Sequence, residues 1–197
     1  SLGCPYSCIF CATGGGKKHR AMSPEKVIDI ARKYQERLEE LEAGGVAVHR
    51  DAWKVMLSDD DFLRDPERAV RILELWRKAG LRLKIVSFQS TIQSFLTEKP
   101  GGKSVANIDL IDKIASFKGI FAYEFKIQIG TDGLIDPEIK RLNKGPYSER
   151  LIEEVLVGLQ EKDIVNVHYL ILTNADSSLE DLIRTLMKSS VFEIKYP

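Results

Sequence analysis

The chain has 197 residues, of which 44% are hydrophobic, and its 29 basic side chains are balanced by 29 acidic ones. That length suits one domain with a sizeable core, and the charge balance gives no net pull toward nucleic acid or an anionic membrane surface. No apolar run approaches the roughly 20 residues that cross a bilayer, and the first residues lack the basic and apolar regions of a signal peptide, so a cytoplasmic protein without membrane attachment is expected.

The chain opens at Ser1-Leu2-Gly3 without methionine and reaches Cys4 at once, which reads as one domain cut from a longer protein. Ser23-Pro24-Glu25 supplies a cap, a first-position proline and an early acid for a helix carrying Val27, Ile30, Ala31, Tyr34, Leu38 and Leu41 at helical spacing, and Gly44-Gly45 ends it. A strand follows at 53–58, then Asp65-Pro66-Glu67 opens an amphipathic helix that runs to Gly80. The alternation continues with a strand at 81–88, a helix at 108–117, a strand at 123–129, a helix at 148–160, a strand at 165–173, a helix at 179–188 and a final strand at 191–196. Residues 97–105 read as a surface loop. Strands and helices taking turns imply parallel strands with right-handed crossovers, hence an α/β architecture, a barrel or an open doubly wound sheet.

Several strands carry polar side chains at alternate positions: Lys54, Lys84, Glu124, Lys126, Gln128, Asn166 and His168. Parallel strands buried on both faces read as continuous apolar runs. One wet sheet face is therefore expected, lining a hydrated cavity for a polar substrate, with Lys84, Glu124, Lys126 and His168 as candidate cavity residues.

Cys4, Cys8 and Cys11 lie within eight residues, and no other cysteine follows. An odd set of clustered thiols in a reducing compartment reads as a metal site, not a disulfide framework. The C-x3-C-x2-C spacing supplies three ligands. A cubane iron–sulfur cluster held by three cysteines keeps one iron open, whereas ferredoxins close the site with a fourth cysteine and structural zinc also takes four protein ligands. His19 is the one nearby candidate for a fourth ligand, which would make a structural or electron-transfer metal module. Gly14-Gly15-Gly16-Lys17-Lys18 lacks the phosphate-loop frame and reads as a turn.

The stretch Cys4-x3-Cys8-x-Phe10-Cys11 resembles the signature of the radical S-adenosylmethionine (SAM) superfamily. Arg20-x-x-Ser23-Pro24-Glu25-x-Val27 and Ser58-Asp59-Asp60-Asp61-Phe62 resemble its cobalamin-associated and methylthiotransferase-like branch, as does the block from Ile127 through Gly133 to Leu142-Asn143-Lys144-Gly145. The resemblance implies a partial (β/α) barrel with its first strand truncated. It also implies a [4Fe–4S] cluster on Cys4, Cys8 and Cys11 at the carboxyl ends of the strands, and SAM cleaved with an electron from an external one-electron reductant to give a radical that acts on an unidentified substrate. Phe10 is implied as a shielding or backbone contact, and Ser58, Asp59 and Asp60 as holding the SAM amino group. Gln128 and Asp132 are the candidates for the ribose. Where the family tends to show Gly-x-Pro-Gly after the fifth strand, this chain has Asn174-Ala175-Asp176-Ser177, so no adenine contact carries over.

Overall fold

The computed structural model describes residues 8–11, 18–172 and 175–195. Its centre is a four-stranded parallel sheet of β1 (Lys54–Leu57), β2 (Lys84–Thr91), β5 (Phe121–Asp132) and β6 (Val165–Leu170), in that spatial order. The sheet is not closed, as in a partial barrel. Among the described residues no helix is long and apolar enough to cross a membrane.

The helices begin where capping chemistry places them. Ser23 accepts from the Lys26 amide at 3.2 Å to start α1 (Pro24–Ala43), and Asp65 accepts from the Arg68 amide at 3.0 Å to start α2 (Pro66–Ala79). Asn107 caps α3 (Ile108–Ala115) in the same way at 3.1 Å. Gly80, at φ 60°, supplies the left-handed residue that ends α2. A short α4 (Asp136–Arg141) and a longer α5 (Glu149–Gln160) follow β5, and α6 (Leu179–Lys195) follows β6.

The core fills the space between one sheet face and the helices. Ile85, Phe88, Phe125, Ile127 and Ile129 meet Leu73, Ile111, Ile114, Val155 and Leu156 in a single buried cluster. Phe62, Phe88, Phe121 and Phe125 form a ring series with centroid separations of 4.0 to 6.3 Å. The other face carries Met56, Ser87, Lys126 and Val165 in one row of the register, then Gln89, Gln128 and Val167, then Thr91, Gly130 and Tyr169. Polar side chains of β2 and β5 gather on this face, as the strand pattern predicts, with an exchange of members on β6.

Asn166 and His168 register with Ile127 and Ile129, on the opposite face from Gln128. The side-chain period of a strand is two, so the offset by one residue moves both off the wet face. Other expectations are also corrected. The tract expected as a final strand at 191–196 is helix through Lys195, because Asp181, Thr185 and Phe192 are buried at helical spacing; Tyr196 lies outside the described residues. The loop at 97–105 is an antiparallel hairpin of β3 (Leu96–Lys99) and β4 (Lys103–Ala106), turned by Gly101 and Gly102 at φ 94° and 76°. The second strand starts at Lys84, three residues later than expected, and runs on to Thr91. The fourth parallel strand ends at Leu170, and Thr173 lies outside the described residues.

Candidate active site at the carboxyl ends of the strands

Of the three cysteines, Cys8 and Cys11 are described; Cys4 and Gly14 to Lys17 lie outside the described residues. The Cys11 amide donates to the Cys8 carbonyl at 3.1 Å, closing a tight turn over Ile9 and Phe10. The turn is docked by the Ile9 amide on the Leu142 carbonyl at 3.3 Å, which places it beside the carboxyl end of β5. Cys8 is half-buried and Cys11 exposed. Among the described residues no three His, Cys, Asp or Glu side chains converge on a metal position, and His19 joins no such group.

The wall under the cysteine turn is built by the end of β5 and the loop after α4. Asp132 turns the chain at φ 59°, a conformation that aspartate tolerates better than most residues, and Asn143 does the same at φ 48°. The Asp132 carboxylate and the Lys144 ammonium form an ion pair in which both side chains are nearly buried. The Lys144 Nζ packs over Gly130, 3.5 Å from where a Cβ would stand, an ordinary contact distance. The same ammonium lies 5.5 Å from the centre of the Phe10 ring. Tyr147 donates its hydroxyl to the Thr131 carbonyl at 2.8 Å. Burial first, then the negative charges of Asp132 and Cys8, push the Tyr147 hydroxyl well above its ordinary range, so it stays a proton donor.

After β1 the three consecutive aspartates have three different environments. Asp59 pairs with Arg68 at 2.9 Å, and Arg68 also reaches the Met22 carbonyl at 2.9 Å, tying α2 to the entry of α1. Burial opposes the charged form of Asp59, yet cationic donors, Arg68 among them, outweigh it and hold this carboxyl below the usual range. Asp60 and Ser58 are exposed. Asp61 is buried and accepts from the hydroxyls of Ser90 at 2.7 Å, Thr91 at 3.2 Å and Ser94 at 2.7 Å. This knot fastens the loop carrying Ser58 and Asp60 to the end of β2. A cleft of about 340 Å³ opens beside it, lined by Met22, Met56, Ser58, Asp59, Phe62 and Arg68 among others.

Deeper on the inner face, Gln128 Oε1 accepts from Gln89 at 3.1 Å and from Tyr169 at 2.8 Å, while its Nε2 donates to Ser87 at 3.1 Å. Gln128 is thus held as a pre-oriented amide. Lys126 lies below it on the same face. Lys84 stands away from Gln128: it is exposed at the start of β2 and donates to the Gly119 carbonyl at 2.9 Å. Glu124 is on β5, and its side chain is outside the described set.

His168 has a structural setting. Its Nε2 faces Asn166 Oδ1 at 2.5 Å, and its Nδ1 faces the Thr131 hydroxyl at 2.5 Å, which assigns the proton to Nε2. Burial pushes the ring down to about 4. The unfolded chain, with an ordinary histidine near 6.5, then binds more protons than the native one over the window between these values. Stability is expected to fall as pH drops from 7 to 4, by roughly 3 kcal/mol from this group. Urea unfolding across that range, compared with His168→Gln, checks it: the variant should lack this share of the slope.

The residues that sequence reasoning missed are Lys144 and Tyr147 as neighbours of the cysteine turn, Asp61 and Arg68 as anchors of the acidic loop, and Gln89, Ser87 and Tyr169 as partners of Gln128. The period-two placing of Ser87 and Gln89 on β2 was a usable signal. The others depend on which loops meet.

No protein-family model and no curated protein matches this sequence. Among solved structures, the cobalamin-dependent S-adenosylmethionine radical enzyme OxsB with aqua-cobalamin bound superposes with a TM-score of 0.69 at 18% identity, over 94% of this chain and 25% of that one. The radical S-adenosylmethionine methyltransferase TsrM from Kitasatospora setae, with cobalamin and a [4Fe–4S] cluster bound, superposes with a TM-score of 0.64 at 17% identity, over 97% of this chain and 33% of that one. The chain shares its fold with part of these radical SAM enzymes, and it spans a quarter to a third of their length.

Proposed function

We propose that this chain is the SAM-cleaving core of a radical SAM enzyme. The observation that carries the reading is the cysteine turn docked at the carboxyl end of β5, against the Asp132–Lys144 pair, in an open parallel sheet of this fold. Barrel enzymes place their chemistry at that end of the strands. Soft thiolate donors in C-x3-C-x2-C spacing fit an iron–sulfur cluster with one open iron, and Cys4, Cys8 and Cys11 would hold it. When bound, the cluster supplies one electron, delivered by an external reductant, that splits the SAM sulfonium into methionine and a 5′-deoxyadenosyl radical able to take a hydrogen atom from substrate.

The protein's own residues bind and orient. Asp60 and Ser58, exposed on a loop that Asp61 anchors, suit an ammonium group such as the SAM amino nitrogen, because a carboxylate and a hydroxyl both accept its protons. Asp59 is engaged by Arg68 and holds the loop. Gln128 and Asp132, both on β5, are assigned to the ribose hydroxyls, and Phe10 to covering the turn.

The test is anaerobic reconstitution with iron and sulfide, followed by electron paramagnetic resonance of the reduced protein with and without SAM. A cubane signal that changes on adding SAM, with 5′-deoxyadenosine formed, is the expected result. A signal indifferent to SAM, or zinc taken up in place of iron, would sink the proposal in favour of a structural metal module.

A further inference from the structure

The inner sheet face holds one cation that nothing in the described chain neutralises. Four lysines stand on this face or at its margins, of which Lys84 is exposed and donates to the Gly119 carbonyl. Lys54 is paired with Asp51 and donates to the Tyr123 hydroxyl, and Lys144 is paired with Asp132. Lys126 lies half-buried between Ser87 and Val165 in the register, and among the described residues it has no acidic or hydrogen-bonding partner. Among the described side chains, Lys126 is thus the half-buried lysine of this face without an acidic partner. A half-buried ammonium loses hydration that only an anion or water returns.

What surrounds that charge restricts the ligand. Above Lys126 stands the neutral Gln89–Gln128–Tyr169 network, whose amide oxygen is already occupied by two donors. Across the rows, Met56, Val167 and Tyr169 are 41%, 39% and 49% exposed, so apolar and aromatic surface flanks the cation. Four residues of β5, roughly 13 Å of strand, separate Lys126 from Gly130 beneath Lys144.

We infer that Lys126 anchors the anionic group, a carboxylate or a phosphate, of an organic substrate whose apolar body rests on Met56, Val167 and Tyr169 and extends toward the cysteine end. The inference rests on the radical SAM reading for what happens to that ligand, but the anion site itself needs neither iron nor SAM. The charge at Lys126 would make it a specificity residue that favours anionic over neutral substrates.

The test uses the full chain without metal, labelled at lysine with 13C and 15N, and follows the lysine side-chain resonances during titration with benzoate, with phenyl phosphate and with neutral benzamide. The Lys126 signal is expected to shift and saturate with at least one anion, at concentrations about tenfold below any effect of benzamide. Lys126→Gln should weaken that binding about tenfold and Lys126→Arg should keep it. Whether benzoate or phenyl phosphate binds more tightly identifies the anion. A Lys126 signal that moves no more than that of exposed Lys84, or equal binding by Lys126→Gln, overturns the inference and leaves the SAM reading untouched. Anion binding by a chain whose reconstituted cluster ignores SAM would overturn the SAM reading alone.

Discussion

Cys8→Ala is expected to abolish the iron–sulfur signal and to lower 5′-deoxyadenosine formation by more than about a hundredfold, since even outer-shell changes at metal sites reach 10- to 100-fold and this removes a ligand. Cys8 lies in the turn that the Ile9 amide docks onto Leu142, so its loss leaves that backbone contact in place. The apo fold should survive: the turn is at the sheet's rim, and the core of Ile85, Phe88, Ile127 and Ile129 does not include it. Iron and sulfide content, the resonance signal and the urea midpoint together check the prediction. A Cys8→Ala protein that keeps its cluster would remove this cysteine from the ligand set. One that loses the cluster and also unfolds at much lower urea would show a structural metal.

The second large effect is expected at Asp61. Asp61→Ala leaves the hydroxyls of Ser90, Thr91 and Ser94 without their acceptor in a buried site, and should destabilise the fold by about 3 kcal/mol. Asp61→Asn keeps the shape and one acceptor oxygen, and should recover most of the loss. The same knot positions Ser58 and Asp60, so a folded Asp61→Asn protein is expected to bind SAM more weakly while its cluster signal stays intact. Urea unfolding and SAM titration of the reconstituted protein separate the two consequences. Unchanged SAM affinity in Asp61→Asn would mean that the loop does not hold SAM.

Lys144 belongs to the same end of the sheet but acts through other groups. Its ammonium is shared between Asp132 and the Phe10 ring, which joins the loop after α4 to the cysteine turn. Together with Arg68, which links Asp59 to Met22, it makes the rim of the sheet a set of paired charges, while the inner face below holds neutral amides and the unmatched Lys126.

By itself the sequence determined the features that depend on neighbours a few residues apart. Ser23-Pro24-Glu25 and Asp65-Pro66-Glu67 start helices because a side-chain oxygen and a fixed proline φ satisfy and preset the first turn without outside help. The alternating strands and helices specified a parallel α/β sheet, and the close spacing of Cys8 and Cys11 agrees with the tight turn they form, for the same local reason. The register across strands, the handover of the wet face from His168 and Asn166 to Val167 and Tyr169, and the helical end of α6 were decided by tertiary packing. A one-residue shift in pairing reverses which side chains face inward, and no local signal reports it. So too with Lys144, Tyr147 and Asp61: their partners lie 12, 16 and 29 to 33 residues away, and only the folded chain brings those charges and hydroxyls within hydrogen-bond reach.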